Sequence, residues 1–132
     1  MLLVYLSATK ASDNKNAVRA EIIHNGTKYE QTQLFPVGDI RSAKLSFLEK
    51  VLKNIPWTKE SVTIFLNDGQ LYEEYTSRSF KDEHWPAVIR CQDSFSLVIS
   101  FRNKGVLSDF LEEELENEFD KSFCSANKNM LY

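Results

Sequence analysis

Apolar and polar positions change their period several times along the chain. Residues 2–8, LLVYLSA, form a compact apolar run with polar residues after it, the pattern of a strand buried on both faces. ASDNKN, 11–16, then reads as a loop. In AVRAEIIHNGTKYEQTQLF, two runs of strand character flank Asn25-Gly26. That pair accepts positive φ at both central positions of a type I′ turn, which predicts a hairpin.

The period then lengthens. Asp39 follows Pro36 and Gly38 and can accept a free backbone N–H at the start of a helix, IRSAKLSFLEKVLKNI. Ile40, Ala43, Phe47, Val51 and Ile55 recur at three and four and form an apolar stripe, with Lys44, Lys50 and Lys53 mainly off it. Asn54 and Pro56 stop the helix. Residues 61–66 form a short strand that runs into Asn67, Asp68 and Gly69. Residues 70–82 form either a short helix or an irregular crossing. Trp85-Pro86 opens AVIRC, and SFSLVISFR follows Gln92-Asp93; these predict two strands joined by a tight turn. Ser108 is placed to cap a last helix whose stripe is Phe110, Leu111, Leu115 and Phe119. Residues 125–132 read as a flexible tail after a single domain, 1–124. Three early strands followed by a helix that crosses to a fourth imply a mixed sheet with at least one parallel pair, an α/β fold.

At 132 residues the chain is long enough for one domain with its own core. The net charge of −3 is unevenly spread. SDFLEEELENEFD, 108–120, holds seven acids and no Lys or Arg, and the rest of the chain carries +4. Two readings follow: a solvated helix face, or an acidic surface that guards a basic body or mimics nucleic acid. Cys91 and Cys124 have neither metal spacing nor a disulfide pattern, and read as free thiols in a reducing compartment. MLLVYLSATK lacks a basic leader and reads as a first strand, not a signal peptide. No apolar run approaches the ~18 residues of a membrane helix. A cytoplasmic protein without a membrane is the expectation.

The element order of the first 75 residues or so resembles the ribonuclease H-like fold, which begins with a three-stranded antiparallel meander and crosses by a helix to a fourth strand parallel to the first. VYLSAT (4–9) resembles that family's first strand, RSAKLSFLEKVL (41–52) its first helix, and VTIFLND (62–68) its fourth strand. The resemblance implies a site of carboxylates holding two Mg²⁺ ions, because Mg²⁺ is hard and requires anionic oxygen ligands. Carried over, the first-strand Asp falls on Ser7, the helix Glu on Lys44 and the fourth-strand Asp on Asn67. A hydroxyl, an ammonium and a neutral amide make a poor cage for Mg²⁺. Asp68 comes one residue late, and Asn-Asp-Gly reads as a turn that ends a strand.

Other constellations carry less. His24 precedes the hairpin turn. His84 sits in DEHWP beside Asp82 and Glu83, which reads as a polar loop, since consecutive residues rarely converge on one ion. Cys91 falls in an expected strand and reads as core. Neither G-x-S-x-G nor a glycine-rich phosphate loop is present. Lys10, Lys15, Arg19, Lys28, Lys44, Lys50, Lys53 and Lys59, with Tyr5, Tyr29 and Trp57 for stacking, offer a dispersed basis for nucleic-acid binding.

The sequence therefore predicts a non-catalytic ribonuclease H-like protein, without cofactor or metal, that binds a macromolecule, a protein before a nucleic acid. Trp57, Trp85 and the acids Glu113, Glu116 and Glu118 are the candidate contacts. The alternatives are a nuclease acting on RNA or DNA with a displaced site, Asp68 with Asp13, Glu21 or Glu73, and a nucleic-acid-binding module without catalysis.

Overall fold

The computed structural model describes residues 2–54, 61–94 and 99–131, with side chains at 2–54, 61–92 and 99–119. Ile55, Trp57 and Cys124 lie outside these described side chains. The elements are β1 (Leu2–Ser12), β2 (Lys15–His24), β3 (Thr27–Pro36), α1 (Ile40–Asn54), β4 (Val62–Phe65), α2 (Gly69–Thr76), α3 (Trp85–Ser94), β5 (Ile99–Arg102) and α4 (Ser108–Leu131). One five-stranded sheet has the order β3-β2-β1-β4-β5.

The meander is built by its turns. Asn25 has φ 50° and Gly26 φ 78°, so the expected type I′ geometry joins β2 to β3. The expected loop at 11–16 is mostly strand. Both strands run on until Asp13-Asn14, with an irregularity between Lys10 and Ser12. The Ser12 hydroxyl donates to Asn14 Oδ1 at 3.0 Å and helps close this turn. β1 pairs antiparallel with β2 and parallel with β4, and β4 pairs parallel with β5.

Alternation along the strands divides the core. Val4, Leu6, Val18, Ala20, Ile64 and Leu66 face α1 and α3. The alternate residues Tyr5 and Ala17 are buried on the other face, where α4 packs on β1 through Leu111 and Leu115. The sheet therefore lies between two helical layers. In α1, Arg41 N donates to Asp39 Oδ1 at 3.0 Å, as the capping expectation requires. The buried face of α1 is broader than the expected stripe: it takes in Leu45, Leu48 and Leu52 beside Phe47 and Val51, and also Lys44.

Four sequence expectations need correction. AVIRC is not a strand. It lies in α3, where Trp85, Val88 and Cys91 are buried at a helical spacing of three. Pro86 is consistent with this, since it sits in the first turn, where a missing N–H costs nothing. Of the second expected strand, Ile99–Arg102 forms β5, Ser94 ends α3, and residues 95–98 lie outside the described ones. Ser108 does not cap α4 through its own later amides; its hydroxyl accepts from Gly105 N at 2.9 Å. Residues 125–131, expected as tail, belong to α4. No helix among the described residues is long and apolar enough to cross a membrane.

Candidate functional site

β4 is short and parallel to β1, so its carboxyl end lies beside the middle of β1, which runs on to Ser12. Their register pairs Tyr5 with Phe65. Ser7 follows Tyr5 by two residues on β1, and Asn67 follows Phe65 by two, past the last paired residues. Beyond β4, Leu66 N donates to the Arg102 carbonyl at 2.9 Å and Asn67 N to the Asn103 carbonyl at 2.6 Å, so β5 holds this end in place.

Lys44 comes from α1 to the same end. Its Nζ donates to the Asn67 carbonyl at 3.0 Å and stands 3.5 Å from the Leu66 carbonyl. Ser7, Lys44 and Asn67 are all buried. Burial pushes the Lys44 amine below the usual lysine range; Asp68 and Glu112 pull it back up, and Arg41 adds to the lowering. Ser7 Oγ, Asn67 Nδ2 and Asn103 Oδ1 are buried without a hydrogen-bond partner among the described residues. The end of β4 thus holds one cation, two carbonyls and the neutral side chains of Asn67 and Asn103.

Asn67 has φ 51°, the left-handed region that Asn tolerates better than most residues. The turn accounts for the side chain at this position independently of any chemistry. Asp68 follows as the N-cap of α2. Its Oδ1 accepts from Gln70 N and Leu71 N, each at 3.0 Å, and Arg41 Nε lies 3.2 Å away. Its carboxylate is committed to starting a helix and to an ion pair.

The displaced carboxylate set does not assemble. Asp13 is in the β1–β2 turn, beyond the end of β4 just described. Glu21 is buried in β2 opposite Tyr5, with Lys28 Nζ 3.3 Å from its Oε2. Burial raises its pKa, with Lys28 working against that rise. Glu73 lies on α2, where its main-chain carbonyl accepts from Ser77. Among the described residues, no group of three or more His, Cys, Asp or Glu is placed to hold a metal.

The proposed contact residues divide. Trp57 lies outside the described residues. Trp85 is no surface feature: it is fully buried, with Phe80, Tyr75 and Phe101 rings at 5.4, 6.1 and 6.4 Å. The helical period that places it inside was hidden by the short β-branched run after it. Glu113, Glu116 and Glu118 are exposed on α4, and Glu118 Oε2 accepts from Arg19 Nη2 at 2.7 Å. Phe110, expected on the buried stripe, is 63% exposed, beside Val106 at 97% and Leu107 at 37%. Sequence reasoning also missed Glu112 and Asn103 near Lys44. Glu112 follows Leu111 at the margin of the buried stripe, and that adjacency was the available signal.

No family model matches the chain, and no curated protein matches it. Among solved structures it is similar to the crystal structure of the prototype foamy virus protease-reverse transcriptase, with a TM-score of 0.55 and 15% identity. The match covers 89% of this chain and 20% of that one, so the chain spans a fifth of the viral protein's length. At this identity the likeness speaks for the fold, and the mixed five-stranded sheet with helices on both faces is ribonuclease H-like.

Proposed function

We propose that this chain is a non-catalytic, cytoplasmic ribonuclease H-like module that binds another protein. The observation that carries the reading is Lys44. Its ammonium donates to the Asn67 carbonyl at 3.0 Å, at the edge where the fold resemblance places metal-binding carboxylates. A cation there repels Mg²⁺, and Ser7 and Asn67 supply no anionic oxygen to outweigh it.

The surface suggests where a partner would sit. Val106, Leu107 and Phe110 expose apolar area at the start of α4, and Asp109, Glu113, Glu114 and Glu116 are exposed around and beyond them. An apolar centre with an acidic rim suits a protein whose own contact is apolar with Lys or Arg around it.

Two measurements test the reading. Wild-type protein in millimolar Mn²⁺ should melt at the same temperature as without it; a rise equivalent to ~2–3 kcal/mol, as a ligand at about a hundredfold excess over Kd gives, would restore the nuclease reading. In pull-downs, Phe110→Asp and the double reversal Glu113→Lys/Glu116→Lys should each lose wild-type partners while circular dichroism stays unchanged. Recovery of every partner by both variants would leave this surface as plain solvated helix.

A further inference from the structure

β3 is a ten-residue strand at the end of the sheet, with a neighbour on one side only among the described residues. Residues 27–32 are all exposed, and so are Leu34 and Pro36. Long open edges are usually blunted by brevity, a proline, a bulge or charged side chains, and of these the middle of β3 has charges alone, Lys28 and Glu30. Here the β2–β3 register runs without a shift from His24–Thr27 to Lys15–Pro36, and the only proline is the last residue.

The hairpin fixes which backbone groups face outward. A two-residue type I′ turn bonds the His24 carbonyl to Thr27 N–H, so His24 and Thr27 are a hydrogen-bonded pair. Antiparallel pairs alternate between bonded and non-bonded. Tyr29, Gln31, Gln33 and Phe35 therefore turn their amides and carbonyls toward β2. Lys28, Glu30, Thr32 and Leu34 turn theirs to the open edge.

We infer that this edge pairs antiparallel with the same edge of a second copy of the chain, with the two-fold axis at Gln31. In that register Lys28 lies opposite the partner's Leu34, and Glu30 opposite the partner's Thr32. All four outward-facing residues of each copy are satisfied, giving about eight inter-strand hydrogen bonds. The charge pattern selects this register. Moving the axis to Glu30 sets two glutamates directly opposite each other, which is repulsive. Moving it to Thr32 sets Lys28 against Pro36, which has no N–H to give. The chosen register also brings each exposed Leu34, 51% accessible, onto the aliphatic stem of a lysine, and each exposed Tyr29, 57% accessible, against Gln33. The product is a continuous ten-stranded sheet. It uses residues of β3 and none of those proposed above as the α4 contact surface, so the two proposals are tested by different substitutions.

The test uses the full chain, by sedimentation equilibrium over a range of concentrations and by amide hydrogen exchange. Wild type should dimerise, and the amides of Lys28, Glu30, Thr32 and Leu34 should slow with rising concentration while those of Tyr29, Gln31 and Gln33 do not change. Leu34→Lys, which faces Lys28 across the axis, should raise the dimer Kd roughly five- to tenfold, because each dimer contains two opposed pairs. Leu34→Glu should retain the dimer or tighten it. Position 34 is exposed, so at concentrations low enough for monomer the melting curves should match for both variants. A monomer at all concentrations, a dimer whose edge amides stay fast, or equal weakening by the two substitutions would each overturn the inference.

Discussion

Arg19 on β2 and Glu118 on α4 meet at 2.7 Å across 99 residues of sequence. Arg19 is buried in the sheet face and also donates from Nε to Thr32 Oγ1 at 2.8 Å, while Glu30 lies 3.6 Å from its Nη2. The guanidinium, carried by the middle strand of the meander, ties α4 to β3. Charged hydrogen bonds contribute about 1.5–3 kcal/mol, and the exposure of Glu118 lowers its share. Arg19→Ala should therefore destabilise the protein by roughly 2–3 kcal/mol and Glu118→Gln by about 1 kcal/mol or less, measured by urea denaturation. Equal effects would mean that Glu118 alone is the partner that matters. This pair is also why a charge-reversal test of the acidic face should spare Glu118.

Glu21 gives a pH signature. Burial raises its folded-state pKa above the ordinary glutamate range. The folded protein then holds this proton more tightly than the unfolded chain. Stability from this group falls as pH rises from the unfolded pKa through the folded one, and the full penalty remains above it. Glu21→Gln should raise the melting temperature at pH 7, and its advantage should shrink toward acid. Thermal melts of both proteins from pH 4 to 8 check this. A difference independent of pH would mean that Lys28 holds the carboxylate ionised at little cost.

A carboxylate site can be built to test the proposed reading. Ser7→Asp, Lys44→Glu and Asn67→Asp together would supply three carboxylates at the positions the fold resemblance assigns to the metal ligands. Unpaired, they repel one another, so the triple variant should be less stable than wild type. Mn²⁺ should return stability to it, by ~2–3 kcal/mol near a hundredfold excess over Kd, and should not affect wild type. A folded triple variant indifferent to Mn²⁺ would show that the three side chains do not converge on one ion.

Gly105 is held to its size by Phe65. A Cβ on Gly105 would lie 2.7 Å from the Phe65 ring, closer than carbon atoms approach. That ring cannot easily yield, because it stacks on Tyr5 at a centroid distance of 4.4 Å. Gly105→Ala should cost about 1–3 kcal/mol, the range for overpacking, and should alter the near-ultraviolet dichroism of Tyr5. An unchanged melting curve would place Phe65 in a looser setting.

The parts of the fold legible in the sequence are those set by local chemistry. Asn25-Gly26 has a backbone requirement few other pairs meet, and Asp39 has an amide to cap. The parallel crossing followed from element order. The misses have a shared cause: short segments whose burial is decided by distant neighbours. Trp85 to Cys91 carries β-branched residues, and its helical period spans under two turns, so alternation and helix are hard to separate there. Lys44 shows the same limit at the site. Its charge argued for solvent, but its position, with Leu48 and Val51, is on the buried face of α1, and the carbonyls that receive it come from Leu66 and Asn67. The acidic character of α4 was plain from composition; the outward turn of Phe110 depends on how Leu111 and Leu115 dock on β1, which no local pattern encodes.

The left-handed turn at Asn67 makes Ser7, Lys44 and Asn67 unequal in how readily each would take a carboxylate. Asp is among the few residues that share Asn's tolerance for φ near 50°, so exchange at 67 needs no backbone change. At Ser7 the obstacle is volume and charge in a closed space, 1% exposed. At Lys44 it is greater, because removing the ammonium frees two carbonyls that it now satisfies. Substitution toward a metal site would thus meet an open door at Asn67, a narrow one at Ser7, and at Lys44 a step that loses stability until its neighbours have changed.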